Sequence, residues 1–330
     1  MRIFKKAYLP VLFVLFLALN GVLNFLLIPY QFTRLKVHAV ETGANRDLIL
    51  GSSHGCAGID PAVLAKETQR SCFNAAAGGQ YPRENVYLLR DACLKEAPER
   101  VIFEYDPAYW VSGDPYNRTA RYQFDVMAPS QVKAAYFMDL LFKNDFRYLF
   151  MPWAAYMENV PIIGQIVKTK TGEAYRTYGA QPFDGRYQTC RPDGFTAIHV
   201  QDRDALTPPS LAFTQENEGY VEKNRAYFEK LAALCLERGI TLTVVTTPVP
   251  AVTLDTNRTF YEQAHRIMET LSRTYGFTYL DYAAGPEALT LPDTDFADGE
   301  GHMYETAAAQ FSKHLAEDLE SAGHSYETED

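Results

Sequence analysis

Residues Ala7–Tyr30, AYLPVLFVLFLALNGVLNFLLIPY, carry no charged side chain. A helix needs about 20 such residues to cross a hydrocarbon core, so the run predicts one membrane-spanning helix. Beyond it, apolar positions fall into short blocks of alternating type. Asp47–Gly51 (DLILG), Cys72–Ala75 (CFNA) and Val101–Tyr105 (VIFEY) are brief apolar runs of the kind that form buried strands. Between the first two, GIDPAVLAKET offers Asp60 as an N-cap and Pro61 as a first helical residue. Residues 83–96 place Val86, Leu88, Leu89, Ala92 and Leu94 at helical spacing. Farther on, 217–238 predicts a long amphipathic helix that turns Tyr220, Tyr227, Leu231, Leu234 and Cys235 inward and stops at Gly239. Ile240–Val245 predicts a strand, 258–275 a helix, Phe277–Leu280 a short strand and 304–321 a last helix. Strands that alternate with helices predict a parallel sheet covered on both faces, an α/β fold of three layers.

Residues 107–216 break this rhythm. They are rich in aromatics, hold Trp110 and Trp153, and suggest helical pieces near 130–158 and a hairpin around Arg186–Val200. The stretch reads as an insertion between the third and fourth strands, placed over one end of the sheet. Open α/β sheets bind ligands at the C-terminal ends of their strands. The insertion is therefore either one wall of a cleft or an extra packing layer.

Charge sharpens the reading of the leader. Residues 1–36 contain Arg2, Lys5, Lys6, Arg34 and Lys36 and no acid, leaving 26 basic and 41 acidic residues from 37 onward, a net of −15. Basic residues ahead of the apolar run predict a cytoplasmic N-terminus, with the rest of the chain outside. The run exceeds the roughly 7–15 apolar residues of a cleaved signal and lacks an A-x-A-like site. It reads as an uncleaved signal anchor, dividing the chain into a tip, anchor and juxtamembrane segment (1–36) and an extracytoplasmic domain (37–330). A net charge of −10 without a basic stripe argues against nucleic-acid binding. Hydrophobic residues at 47% and charged ones at 22% exclude a mainly disordered chain. Five cysteines without a C-x-x-C predict no metal site. Cys93 and Cys235 read as small core residues, and Cys56 and Cys72, flanking the first helix, are the candidate disulfide.

Three loops carry candidate chemistry. The strand DLIL runs directly into Gly51-Ser52-Ser53-His54-Gly55. Such a turn places a serine at the edge of the sheet, beside backbone N–H groups that favour a developing negative charge. After the second strand, Asn74-Ala75-Ala76-Ala77-Gly78-Gly79-Gln80 is a small-residue loop that lets backbone approach a ligand. Neighbouring strands would put Gly79 N–H and Ser53 N–H on one oxyanion. Before the last helix, Ala297-Asp298-Gly299-Glu300-Gly301-His302 supplies a loop histidine with acids nearby. A serine nucleophile needs a base within hydrogen-bond reach and a partner that orients it. His302 is the best placed of seven histidines, with His199 in reserve; His54, next to Ser53, reads as a packing or substrate residue.

These loops, in this order, resemble the SGNH (GDSL-like) hydrolase superfamily over roughly 44–106 and 217–321. The resemblance implies a flavodoxin-like sheet, Ser53 as nucleophile, Gly79 as the second-block glycine, His302 as base and Asp298 as its acid. With the anchor, the chain is similar to extracytoplasmic members that act on envelope polymers. That implies a serine esterase or O-acyltransferase on ester-linked acyl groups of glycans or polyols, with the membrane and an integral-membrane acyl donor as partners. Ser-His-acid chemistry implies no cofactor. A small-ester carboxylesterase or lipase and a catalytically silent scaffold of the same fold are the competing readings. Two departures stand out. The family's third-block asparagine is absent, and Glu104-Tyr105-Asp106-Pro107 stands there, leaving Tyr105 or Tyr109 as substitute donors beside Asp106. The acid also lies four residues before the histidine where the family has three, so Asp295 and Glu300 remain alternatives to Asp298.

Overall fold

The computed structural model describes residues 2–43, 46–113, 118–142, 146–201 and 205–327. Its centre is one parallel sheet of β1 (Asp47–Leu50), β2 (Cys72–Asn74), β3 (Arg100–Glu104), β6 (Thr241–Thr246) and β7 (Thr278–Asp281). The insertion contributes a separate antiparallel ribbon of β4 (Gln188–Cys190) and β5 (Thr196–Ile198). The sheet order is β2-β1-β3-β6-β7, the doubly wound flavodoxin-like arrangement.

Successive side chains of a strand point to opposite faces, and here both faces are buried. Leu48, Leu50, Val101, Phe103, Leu242 and Val244 feed one core. Ile49, Ile102, Val245 and Leu280 feed the other. The first face is covered by α5 (Pro82–Ala92) and by the helices Glu218–Arg238 and Arg258–Tyr275. The second is covered by α4 (Pro61–Thr68) and the helix Glu305–Glu327. Local chemistry sets the helix starts as expected. Asp60 Oδ1 accepts from Ala62 N at 2.9 Å at the head of α4, where Pro61 follows.

Two expectations about helix faces are corrected. Leu94 lies beyond the end of α5 and is exposed. In the Glu218–Arg238 helix, Tyr220 is exposed and the buried stripe is Asn224, Phe228, Leu231, Ala232 and Cys235. A polar residue takes an inward position because Asn224 Nδ2 donates to the carbonyls of Tyr109 and Ser112, binding the helix to the start of the insertion.

The cysteines are all free thiols. Cys56 Sγ faces Lys36 and Thr196, whereas Cys72 opens β2 at the opposite end of the sheet, so the two do not pair. The helix α1 (Arg2–Leu27) contains a 20-residue apolar stretch, Tyr8–Leu27, with mean hydropathy 2.2, long enough to cross a membrane. The helix α2 (Phe32–Thr42) follows at once, runs across the 36/37 boundary and packs into the body through Leu35, Val37 and Val40. The insertion does two things. Its helical pieces pack on α1, α2 and α5, and its ribbon packs beside the turn after β1.

Candidate active site

The turn after β1 is held by a carboxylate from β3. Gly51 has φ +144°, and a Cβ there would lie 2.6 Å from the backbone oxygen of Glu104, so only glycine fits. Its N–H donates to Asn85 Oδ1 at 3.0 Å. A single oxygen, Glu104 Oε2, accepts from Ser52 N (2.8 Å), Ser52 Oγ (2.7 Å) and Gly55 N (3.1 Å). Burial pushes the Glu104 carboxyl above its ordinary range, against the opposing pull of His54 and of the Ser52 donors. Ser52 Oγ also accepts from His54 N at 3.1 Å, which makes Ser52 the N-cap of α3 (Ser53–Gly58). Ser52 is thus committed to the turn. Ser53, the first residue of α3, has a side chain with no hydrogen-bond partner among the described residues, and it lines a cavity of about 450 Å³.

The loop after β2 is pinned against α3 by Asn74. Its Nδ2 donates to the carbonyls of Gly55 and Ile59, each at 2.8 Å, and its Oδ1 accepts from Ala76 N at 3.1 Å. Gly78 then lines the cavity, and a Cβ at that position would lie 3.6 Å from Ser53 Cβ. Gly79, with φ +73°, follows it in the turn and is not among the cavity-lining residues.

The third loop returns from the far end of the chain. Its ends are tied by Ala297 N donating to His302 O at 2.7 Å. Asp298 Oδ1 accepts from the N–H groups of Glu300, Gly301 and His302 at 3.0–3.3 Å. This wrap absorbs the extra residue in the spacing. Asp298 Oδ2 sits 2.7 Å from His302 Nδ1. Against some burial, that hydrogen bond and the charge of the imidazole hold the Asp298 carboxyl down at about 2. His302 lines the same cavity as Ser53. No hydrogen bond joins the Ser53 and His302 side chains among the described residues. His199 bonds Thr189 Oγ1 at 2.9 Å inside the ribbon and does not line the cavity.

A second histidine–carboxylate pair lies beneath the first. His54 is buried, with Nδ1 3.3 Å from Asp106 Oδ2 and its ring centroid 4.5 Å from that of His302. Burial pulls His54 toward neutrality, but the Asp106 carboxylate outweighs it and lifts the imidazole from its ordinary 6.5 to about 9. Asp106 is held correspondingly low despite its burial. Its other oxygen accepts from Ala108 N at 2.9 Å. A raised folded-state value contributes stability that is fully present below about pH 6.5 and is lost as the pH rises through about 9. We expect the melting temperature to fall across that window, and His54→Gln to flatten the fall.

The two tyrosines that follow the third strand do not line the cavity. Tyr105 is buried in the first core against Trp110 and Phe228, at 4.7 and 5.7 Å between centroids, and does not reach the cavity. Tyr109 stacks on Tyr81 at 4.3 Å and does not line the cavity, but it lies beside Asp106 and Glu104 with its side chain hydrogen-bonded to Ser52 of the serine turn. One residue of the wall had no signal in the sequence, where it reads as part of a basic juxtamembrane cluster. Lys36 of α2 is 1% exposed and lines the cavity. Its Nζ donates to the carbonyl of Ala76, contacts Cys56 Sγ at 3.2 Å and sits 4.9 Å from the centroid of the Phe32 ring. It thereby ties α2 to both the serine turn and the Ala76 loop. Thr119, Tyr122, Phe183 and Thr196 of the insertion complete the wall, so the insertion is both a packing layer and one side of the cleft.

Fold and site together define a doubly wound α/β protein with a cavity at the C-terminal edge of its sheet, lined by a serine and a carboxylate-bound histidine. The sequence matches no family model and no curated protein. Among solved structures it is similar to a protein from Desulfitobacterium hafniense DCB-2 described as a candidate lipolytic member of the G-D-S-L family. The likeness is 10% identity and a TM-score of 0.39, over 83% of this chain and 99% of that one.

Proposed function

We propose that the chain is a membrane-anchored serine esterase or O-acyltransferase acting on ester-linked acyl groups through a covalent acyl-enzyme. One observation carries the reading. Ser53, whose side chain has no hydrogen-bond partner among the described residues, and His302, with Nδ1 bound to Asp298 at 2.7 Å, line one cavity. With Nδ1–H donating a hydrogen bond to Asp298, the Nε2 lone pair is left to act as a base.

In this reading Ser53 Oγ attacks the ester carbonyl carbon while its proton moves to His302 Nε2. The carbonyl oxygen becomes an oxyanion, facing the backbone N–H groups of Ser53 and of Gly78, the loop glycine that lines the same cavity. Collapse breaks the bond to the alcohol oxygen, which takes the proton from His302 and leaves. Water or a second hydroxyl then attacks the acyl-enzyme with His302 as base, which restores Ser53. Asp106, engaged with His54, supplies no third donor. The loss of such a donor costs on the order of 10²–10³ in rate, so slow turnover is expected. The anchor and the family resemblance favour glycans or polyols outside the membrane as acceptors, with an integral-membrane protein as the acyl source.

The test is to incubate the full-length protein in detergent with 4-nitrophenyl acetate, with and without glycerol. Nitrophenol release and acetylglycerol, read by absorbance and mass spectrometry, are expected from the wild type and absent from Ser53→Ala. Equal release from both proteins would overturn the assignment. The missing third donor also favours a second reading, a silent scaffold. Full cellular function of Ser53→Ala would select it.

A further inference from the structure

The helix α1 does not stand alone along its whole length. Trp153 Nε1 of the insertion donates to Asn20 Oδ1 at 2.7 Å, and its backbone N donates to Asn24 Oδ1 at 3.1 Å. Asn159 Nδ2 donates to Leu27 O at 2.9 Å, and Lys170 Nζ to Phe25 O at 2.8 Å. At about 1.5 Å of rise per residue, Asn20 lies roughly 10 Å before Leu27 along the helix. The stretch Tyr8–Leu27 measures about 30 Å in all, the thickness of a hydrocarbon core. A span centred in a bilayer therefore carries the Asn20–Trp153 contact well inside the apolar layer, and the insertion goes in with it.

The surface of that part of the insertion has the matching chemistry. Phe142, Phe146, Leu149, Phe150, Met157 and Ile162 are all between 45% and 60% exposed. Large apolar side chains concentrated this way mark a membrane or protein contact. Continuity with α1 decides between them, because the same segment is bonded to the spanning helix. Its pieces Phe137–Leu141, Phe146–Leu149 and, on either side of a kink at Tyr156, Pro152–Ile162 are helical, which pairs many of the backbone groups that lipid cannot satisfy.

We propose that residues 137–142 and 146–162 belong to a second membrane element, which dips into the leaflet at the C-terminal end of α1 and lies against it. The proposal rests on the membrane reading of α1. It also places the cavity. Phe32 and Lys36 line that cavity, and the chain from Leu27 to Phe32 reaches at most about 18 Å. A body held by both elements keeps Ser53 facing substrates at the headgroup level.

The test uses the full chain in phosphatidylcholine vesicles whose acyl chains are either brominated or not. Tryptophan is introduced in separate variants, Phe146→Trp, Phe150→Trp, Val14→Trp within α1, and Leu236→Trp, an exposed apolar site on the Glu218–Arg238 helix. Each emission is read as the difference from the parent. Seating 5–10 Å into the acyl boundary is expected to quench Phe146→Trp and Phe150→Trp about twofold, with Val14→Trp quenched and Leu236→Trp unchanged. Quenching of Val14→Trp without Phe146→Trp or Phe150→Trp overturns this proposal and leaves the anchor. Quenching of Phe150→Trp without Val14→Trp overturns the anchor and, with it, an element lying against a spanning α1. No quenching at any of the three overturns both.

Discussion

Full-length protein treated with a fluorophosphonate probe is expected to gain one covalent adduct, on Ser53. Intact mass followed by peptide mapping reads it, and Ser53→Ala should show none. His302→Ala is expected to slow labelling by about 10²–10⁴-fold, the usual contribution of a positioned general base. Asp298→Ala should fall between the two, since it leaves the imidazole in the cavity but without its 2.7 Å partner. The neighbouring serine is the internal control. Ser52 gives its hydroxyl to Glu104 and caps α3, so Ser52→Ala is expected to keep a labelled Ser53 while lowering the melting temperature. Labelling on Ser52, or at equal rate in His302→Ala, would remove the catalytic assignment.

Replacement of Glu104 by leucine is expected to have the largest effect on stability. One buried carboxylate oxygen accepts from Ser52 N, Ser52 Oγ and Gly55 N. Leucine orphans all three, and each buried donor left unpaired costs about 1–3 kcal/mol. The sum, on the order of 5 kcal/mol, corresponds to a fall in melting temperature of about 10 °C or more. Glu104→Gln keeps an acceptor oxygen at the same place and is expected to lose much less. A Glu104→Leu protein that melts with the wild type and still labels Ser53 would show that the turn holds itself.

Much of the frame was legible from the chain. The strands read correctly because both faces of the sheet are buried, so each strand is a short unbroken apolar run. The Gly51-Ser52-Ser53 turn and the pairing of Asp298 with His302 were legible for a related reason. Both are local, and their chemistry lies within a few residues.

What could not be read was held together by distant residues. Glu104 supports Ser52 across 52 positions of sequence, and a glutamate at a strand end looks like any other. Lys36 looked like a membrane-flanking charge and became a wall of the cavity because α2 folds back onto the body. His54 looked like a packing or substrate residue and became half of a buried ion pair, because β1 and β3 are neighbours and bring Asp106 to it. The inward face of the Glu218–Arg238 helix was misread because two carbonyls of the insertion satisfy Asn224. The linear pattern determined which segments are strands, helices and turns, since that depends on local burial and backbone preference. Only the tertiary structure decided which polar groups meet, because a buried charge or amide takes whatever partner the packing of remote segments brings within reach.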